Sequence, residues 1–334
     1  MAKTANKSKK TVLVAGGAGY IGSILVRKLL GTGYKVIVLD KLLFGESPIK
    51  DLESNPDFKF IKGDIFNRNL LGKAVAGADA VINLAAIVGE SACVCQKDVA
   101  LHTNYSGAVH IARVCKALGI KRFIQASTCS IYGQIKKNTV VTEESKLLPV
   151  DFYGETKIYA EKGLTRLADE NFMPTILRFP TVYGLSPRMR FDLVVNDFVK
   201  KALKEKKITI FGGDQWRPLL HVSDVACAIC LVLNSPFAKV ANQVFNIGAN
   251  SENYKISDLG DIVKEIIPGV KIKIIDNMDD KRSYRVDFTK LEKKLNFKPE
   301  KNIKAGIAEI KNAIENKIIV NLEKKKYYNH LVVC

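Results

Sequence analysis

The stretch Gly16-Gly-Ala-Gly-Tyr-Ile-Gly22 restricts this chain more than any other. It follows the compact apolar run Thr11–Ala15 (TVLVA) and opens a helical run over 21–30 with apolar Ile24, Leu25 and Leu29. Strand, glycine loop and helix in that order begin a parallel α/β sheet. Gly16, Gly19 and Gly22 lie three apart. Glycine lets the backbone come close to a pyrophosphate, and the helix N-terminus behind it offers N–H donors and positive partial charge. In this setting the loop predicts a bound dinucleotide; a tight turn without ligand is the alternative.

The pattern then repeats. Apolar runs at 35–39 (ending at Asp40), 58–62 (ending in Gly63-Asp64), 80–84, 121–126 and 174–179 alternate with helical stretches that include 99–118 and 153–170. Continuous apolar strands separated by helices predict a parallel sheet covered on both faces. The fold class is α/β, a Rossmann-type doubly wound sheet with a smaller C-terminal α/β domain. Helices near 192–204, 223–234 and 256–267 and strands near 208–211, 244–247 and 271–274 make up the second part. The expected division is a tail over 1–10, a cofactor domain over 11–184 and a substrate domain over 185–320, with the chain crossing back between them. The final stretch, 324–334, has little to organise it.

Several classes are disfavoured by composition. No apolar run approaches the roughly 18 residues that span a bilayer. The lysine-rich start has no apolar segment of a secretory signal, so a soluble cytoplasmic protein is expected. The formal charge of +18 raises nucleic-acid binding. The lysines are spread along the chain without a recognition module, so a lysine-rich surface and an anionic substrate account for it better. Seven cysteines include the close pairs Cys93/Cys95 and Cys227/Cys230. Neither is matched by a second pair at zinc-ribbon spacing, so no metal is expected and the thiols are read as reduced.

Chemistry is signalled by Tyr153-Gly-Glu-Thr-Lys157. Positions i and i+4 share a helix face. An ammonium beside a phenol favours the phenolate and lowers a pKa that starts near 10. Such a phenol takes a proton from an alcohol while a nicotinamide takes the hydride. Asp40 closes the second strand, where a carboxylate accepts from ribose hydroxyls and repels a 2′-phosphate; NAD is therefore expected over NADP, with adjacent Lys41 opposing. Asp64 ends the third strand in a similar place, facing the adenine or simply forming a turn. Thr128, between Ser127 and Ser130, lies at the carboxyl end of the fifth strand and can reach both the substrate alcohol and Tyr153.

These pieces, with Asn83-Leu-Ala-Ala86, Asn104, Ser127–Gly133 (STCSIYG), Arg178–Gly184 (RFPTVYG) and Arg217–Val222 (RPLLHV), resemble the extended short-chain dehydrogenases/reductases of the sugar-nucleotide epimerase/dehydratase branch. The resemblance covers residues 11 to about 300 in the family's order. It implies NAD in the first domain, a nucleoside diphosphate sugar in the second and a homodimer. It makes Tyr153 the general base and acid, Lys157 the holder of the nicotinamide ribose and Thr128 the catalytic hydroxyl. Beyond these residues, the implied cofactor contacts are Gly16, Gly19, Tyr20, Ile21, Gly22, Asp40, Asp64, Ile65, Ala85, Ala86, Asn104 and Pro180. The implied substrate contacts are Thr128, Ser130, Thr181, Asn196, Arg217 and Arg282, the two arginines clasping the diphosphate.

Departures sharpen the expectation. In 4,6-dehydratases of this branch the catalytic Thr is followed by Asp-Glu, which carry out the elimination; here Cys129 and Ser130 stand there. The Asn common in epimerases after the Arg of the sixth strand is Thr181. The segment Ser186–Asn196 resembles a subgroup that includes GDP-heptose 4-dehydrogenases. Redox at C4 of a nucleotide sugar is expected, as a 4-epimerase, with a 4-dehydrogenase that releases the keto sugar as the alternative and a non-catalytic NAD-binding regulator as a more distant one.

Overall fold

The computed structural model describes residues 9–135, 139–276 and 280–334. Its centre is a seven-stranded sheet in which every pairing is parallel. The first five strands in chain order are β1 (Thr11–Ala15), β2 (Lys35–Asp40), β3 (Phe58–Lys62), β4 (Ala80–Asn83) and β5 (Arg122–Thr128). From one edge the order is Val244–Asn246, Thr175–Phe179, β5, β4, β1, β2, β3. The apolar runs are strands because both of their faces are covered. Val12 and Val14 pack into one core and Leu13 and Ala15 into the other. Edge strand β3 (FKFIK) instead turns Lys59 and Lys62 to solvent.

The strand order reverses between β1 and β4, and open α/β sheets bind ligands at the carboxyl ends of strands on either side of such a reversal. Helix Tyr20–Gly31 starts there, directly after the glycine loop.

Val244–Asn246, in the second half of the sequence, is an edge strand of the large sheet. Thr181–Tyr183 leaves the large sheet and pairs with Trp216–His221, which also pairs with Asn253–Lys255. The single helix expected over 99–118 is Lys97–Leu101, a π-helical turn His102–Gly107, and Ala108–Ala117. Inserted π turns recur at functional sites, and this one contains Asn104.

At the chain ends, residues 1–8 of the expected tail lie outside the described residues, while Lys9 is ion-paired to Asp57. The stretch 324–334 is organised after all, as a short turn Lys325–Tyr327 and a helix Asn329–Val333. Cys334 forms a disulfide with Cys95, with their Cα atoms 5.8 Å apart. The expectation that all the cysteines are reduced fails at this pair, because the fold brings together residues 239 apart in sequence. Among the described residues, no helix is long and apolar enough to cross a membrane, and no group of three or more His, Cys, Asp or Glu could hold a metal.

Candidate active site

The glycine loop is built for close approach. Gly16 has a φ of +79°, and a Cβ there would lie 2.7 Å from the Ala85 backbone nitrogen. A Cβ on Gly22 would lie 2.5 Å from the Gly16 carbonyl oxygen. Side chains at these positions would fill the cradle between the loop and the segment after β4, where Ala85 and Ala86 sit. The Asp40 carboxylate accepts from the amide of Ala18 at 3.0 Å and from that of Leu42 at 2.8 Å. A carboxylate has about four acceptor sites, so two remain for ribose hydroxyls. Burial pushes the Asp40 carboxyl above its ordinary range, against the two amides and nearby Arg188, which favour the charged form.

Lys41 is bound to Asp64 at 2.8 Å, directed away from the role of 2′-phosphate partner. Burial raises the Asp64 carboxyl, but Lys41 and the Phe66 amide outweigh it and hold it below the usual range. Ile65 is buried in the core that also holds Leu13, Ala15 and Leu39. The residues present therefore fit a dinucleotide whose ribose carries a free 2′-hydroxyl. Asp40→Ala is expected to reduce the preference for NAD over NADP by on the order of tenfold, as charge-assisted hydrogen bonds are lost. An unchanged ratio of the two dissociation constants would contradict this role.

Helix Phe152–Leu167 supplies the reactive face. Asp151 caps it, accepting from the Gly154 amide at 2.6 Å, and Glu90 accepts from the Tyr153 amide at 2.9 Å. Both carboxylates sit at the positive end of the helix dipole. Tyr153, Thr156, Lys157, Ala160, Glu161 and Leu164 are buried along one stripe of the helix. That stripe, polar where an ordinary helix would be apolar, faces the carboxyl end of β5.

There Thr128, 7% exposed, donates to the Ser130 hydroxyl at 3.2 Å and lies beside the Tyr153 phenol. The Lys157 ammonium, 3% exposed, donates to the Ala126 carbonyl at 3.0 Å. Burial lowers the Lys157 pKa to about 8, with Cys93 and Glu161 opposing. The expected lowering of the Tyr153 pKa by Lys157 is not what this arrangement gives. Burial raises the phenol, as does Cys93, and what pulls it down is Arg190 and Thr128. The physical reason is burial: the phenol lies in desolvated space, and the Lys157 ammonium, itself buried, directs a hydrogen bond to the Ala126 carbonyl. The ligand-free Tyr153 is thus a neutral hydroxyl.

Other expected residues divide in two. Arg217, Arg282 and Ser130 gather around Tyr284. Arg217 lies 2.8 Å and Arg282 2.6 Å from the same carboxylate oxygen of Asp280, and Arg282 also reaches Asp151 at 3.2 Å. Both guanidinium groups thus already converge on one anion. Ser130 is 3.4 Å from the Tyr284 hydroxyl. Thr181 and Pro180 lie where the chain passes from the large sheet to the small one.

Asn196, Asn104 and Tyr20 do other work. Fully buried Asn196 accepts from the Gly184 amide and donates to the Arg190 carbonyl and the Tyr20 hydroxyl. It thereby joins helix Tyr20–Gly31 to the segment that follows Thr181–Tyr183. Asn104 accepts from and donates to the Ile87 backbone and donates to Thr156 at 3.0 Å, tying the segment after β4 to the catalytic helix. Tyr20 donates its hydroxyl to the Gly184 carbonyl at 2.7 Å, which leaves backbone groups as what Tyr20, at the helix start beside Ile21, has to offer a cofactor.

Sequence reasoning missed Asp151, Glu90, Cys93 and Arg190. The signal for Asp151 was present: an Asp just before a helical run is a cap. Arg190, bidentate to Asp192 at 3.0 and 2.8 Å, belongs to the segment Ser186–Asn196 and is brought near Tyr153 only by the fold.

The sequence profile of the NAD-dependent epimerase/dehydratase family matches residues 12–248. The chain belongs to that family. It is 32% identical over 314 residues to an uncharacterized UDP-glucose epimerase of Bacillus subtilis, covering 89% of this chain and 95% of that one. It is 31% identical to a putative UDP-glucose 4-epimerase of Methanocaldococcus jannaschii, covering 91% and 98%. The structure of a UDP-glucuronic acid 4-epimerase from Bacillus cereus, in complex with UDP-glucuronic acid and NAD, superposes with a TM-score of 0.83 at 28% identity, covering 92% of this chain and 99% of that one. A dTDP-glucose 4,6-dehydratase of Streptomyces niveus is 29% identical over 317 residues. This epimerase/dehydratase family member is therefore an NAD-dependent enzyme of the extended short-chain dehydrogenase/reductase kind.

Proposed function

We propose that this enzyme is a 4-epimerase of a nucleoside diphosphate sugar, acting as a soluble cytoplasmic homodimer. The observation that carries the reading is the surroundings of Thr128 and Tyr153. Cys129, the first of the two positions where a dehydratase has its acid pair, is fully buried and turned toward the Arg178 carbonyl at 3.5 Å. Burial raises its thiol far above neutrality. Ser130, the second, offers a neutral hydroxyl. Neither can expel water from the sugar, and hydride exchange at C4 is what remains.

NAD, when bound, supplies the hydride acceptor. The chain does the rest. Thr128 and Tyr153 hold the 4-hydroxyl; Tyr153 first gives its own proton to solvent, and the resulting phenolate oxygen then takes the 4-hydroxyl proton. Positioning of this kind is worth roughly 7–11 kcal/mol. Arg190 favours the phenolate, and Lys157, charged below a pH of about 8, holds the ribose. Arg217 and Arg282 exchange Asp280 for the diphosphate, a geometry their planar groups suit. The sugar then turns in the pocket, and Tyr153 returns the proton after hydride comes back to the other face.

The test is a panel of UDP-, GDP-, CDP- and dTDP-sugars, with products identified by NMR. UDP-sugars come first because they appear in the names of the relatives. A C4 epimer from any member supports the reading; a 4-keto-6-deoxy product overturns it.

A further inference from the structure

Three segments rim the cofactor crevice at the carboxyl ends of the strands: 41–48 after β2, 84–96 after β4 with its short helix Glu90–Cys95, and 184–193 after Thr181–Tyr183. The segment Lys325–Cys334 touches all three. Lys326 lies 3.4 Å from the Ser47 hydroxyl. The Phe191 amide donates to the Tyr327 carbonyl at 3.0 Å, and the two rings meet edge to face. Asn329, 6% exposed, is the hub. Its amide donates to Asp192 at 3.2 Å, its side-chain nitrogen to the Val88 carbonyl at 2.8 Å, and its side-chain oxygen accepts from Arg188 at 2.6 Å. Gln96 donates to the Val333 carbonyl, and Cys95 is bonded to Cys334.

Arg188 extends this contact inward. It is 4% exposed, and its guanidinium stands 3.7 Å over the Phe44 ring in the loop after Asp40. Its Nε is buried without a partner. A buried cation with an unused donor beside the ribose-binding carboxylate is aimed at an anion, and the dinucleotide's diphosphate is the anion this crevice takes.

We propose that Lys325–Cys334 is a clasp that closes the NAD crevice, that Arg188 held by Asn329 is its contact to the cofactor, and that the Cys95–Cys334 disulfide is its latch. Both cysteines are exposed, so a soluble dithiol reaches them. One thiolate of the dithiol attacks the Cys334 sulfur and displaces the Cys95 thiolate, which takes up a proton. The second thiol of the dithiol then displaces Cys334. The dithiol ends as a disulfide and the two cysteines as thiols. Disulfides in a reducing cytosol are usually transient or sensing, which suits a latch.

The experiment follows exchange of bound NAD for excess labelled NAD on the holoenzyme, without sugar, so the result does not depend on which sugar is turned over. Dithiothreitol is expected to speed exchange in the wild type by about tenfold or more, the worth of a charge-assisted contact. Cys334→Ser should exchange at the fast rate with or without dithiothreitol, and Arg188→Ala should exchange fast in the oxidised state. Equal rates for oxidised wild type, reduced wild type and Cys334→Ser would overturn the clasp.

Discussion

Tyr153→Phe is expected to leave NAD bound at full stoichiometry while lowering turnover by about 10³-fold, within the range of general acid–base catalysis. The ring stays, and with it the packing against Cys93 and Ala100. What goes is the one oxygen that can exchange a proton with the sugar. The nearest substitute, the Thr128 hydroxyl, is an aliphatic alcohol and a much weaker acid than a phenol, so it cannot take over the proton exchange. The groups proposed to hold NAD, the glycine loop, Asp40 and Lys157, do not depend on the phenol. Comparing bound cofactor with kcat on one preparation therefore separates chemistry from assembly. Retained turnover would remove Tyr153 from the reaction; lost NAD would make it structural.

Glu161→Ala is expected to cost about 3–5 kcal/mol of stability, the penalty for stripping one partner from a buried ion pair. Glu161 receives Arg178 through two nitrogens, at 3.1 and 2.7 Å, with the side chains 8% and 6% exposed. It also accepts from the Ser127 hydroxyl, next to Thr128. Arg178 goes on to donate to the Tyr132 hydroxyl at 2.9 Å and the Glu143 carbonyl at 3.1 Å. The pair thus ties the catalytic helix to β5 and to strand Thr175–Phe179. Without Glu161 a guanidinium is left buried and unneutralised, and the helix loses its anchor one turn from Lys157. Urea unfolding of wild type, Glu161→Ala and Glu161→Gln measures this; the amide keeps part of the hydrogen bonding and should fall between. An unchanged midpoint for Glu161→Ala would show the site relaxing around the charge.

The large sheet was legible because its strands are short apolar runs buried on both faces, a pattern local to each segment. The glycine loop was legible for a steric reason: Gly16 and Gly22 meet backbone atoms wherever this turn is built. The Tyr153/Lys157 pair was legible as spacing, but its electrostatics were not. Whether Lys157 faces the phenol or the Ala126 carbonyl depends on how deep the helix sits against β5. Asn196 and Asn104 enter as ligand contacts only through the family resemblance, which carries no information about the partners that each side chain finds in this fold. Their partners, Gly184 and Ile87, are supplied only by folding. Cys95 and Cys334 carried no local sign of pairing, since nothing in a sequence of this length announces a contact across 239 residues. The end segment looked unorganised for the same reason: its partners lie on three segments of the crevice.

The central claim is that hydride leaves C4 and returns to C4 of the same sugar. The direct measurement uses the sugar nucleotide identified by the panel, carrying deuterium at C4, with the product followed by NMR and NADH by its absorbance. A 4-epimerase gives a C4 epimer that keeps its deuterium at C4, with no net NADH. Deuterium appearing in accumulated NADH, alongside a released 4-keto sugar, would contradict it and make the enzyme a 4-dehydrogenase.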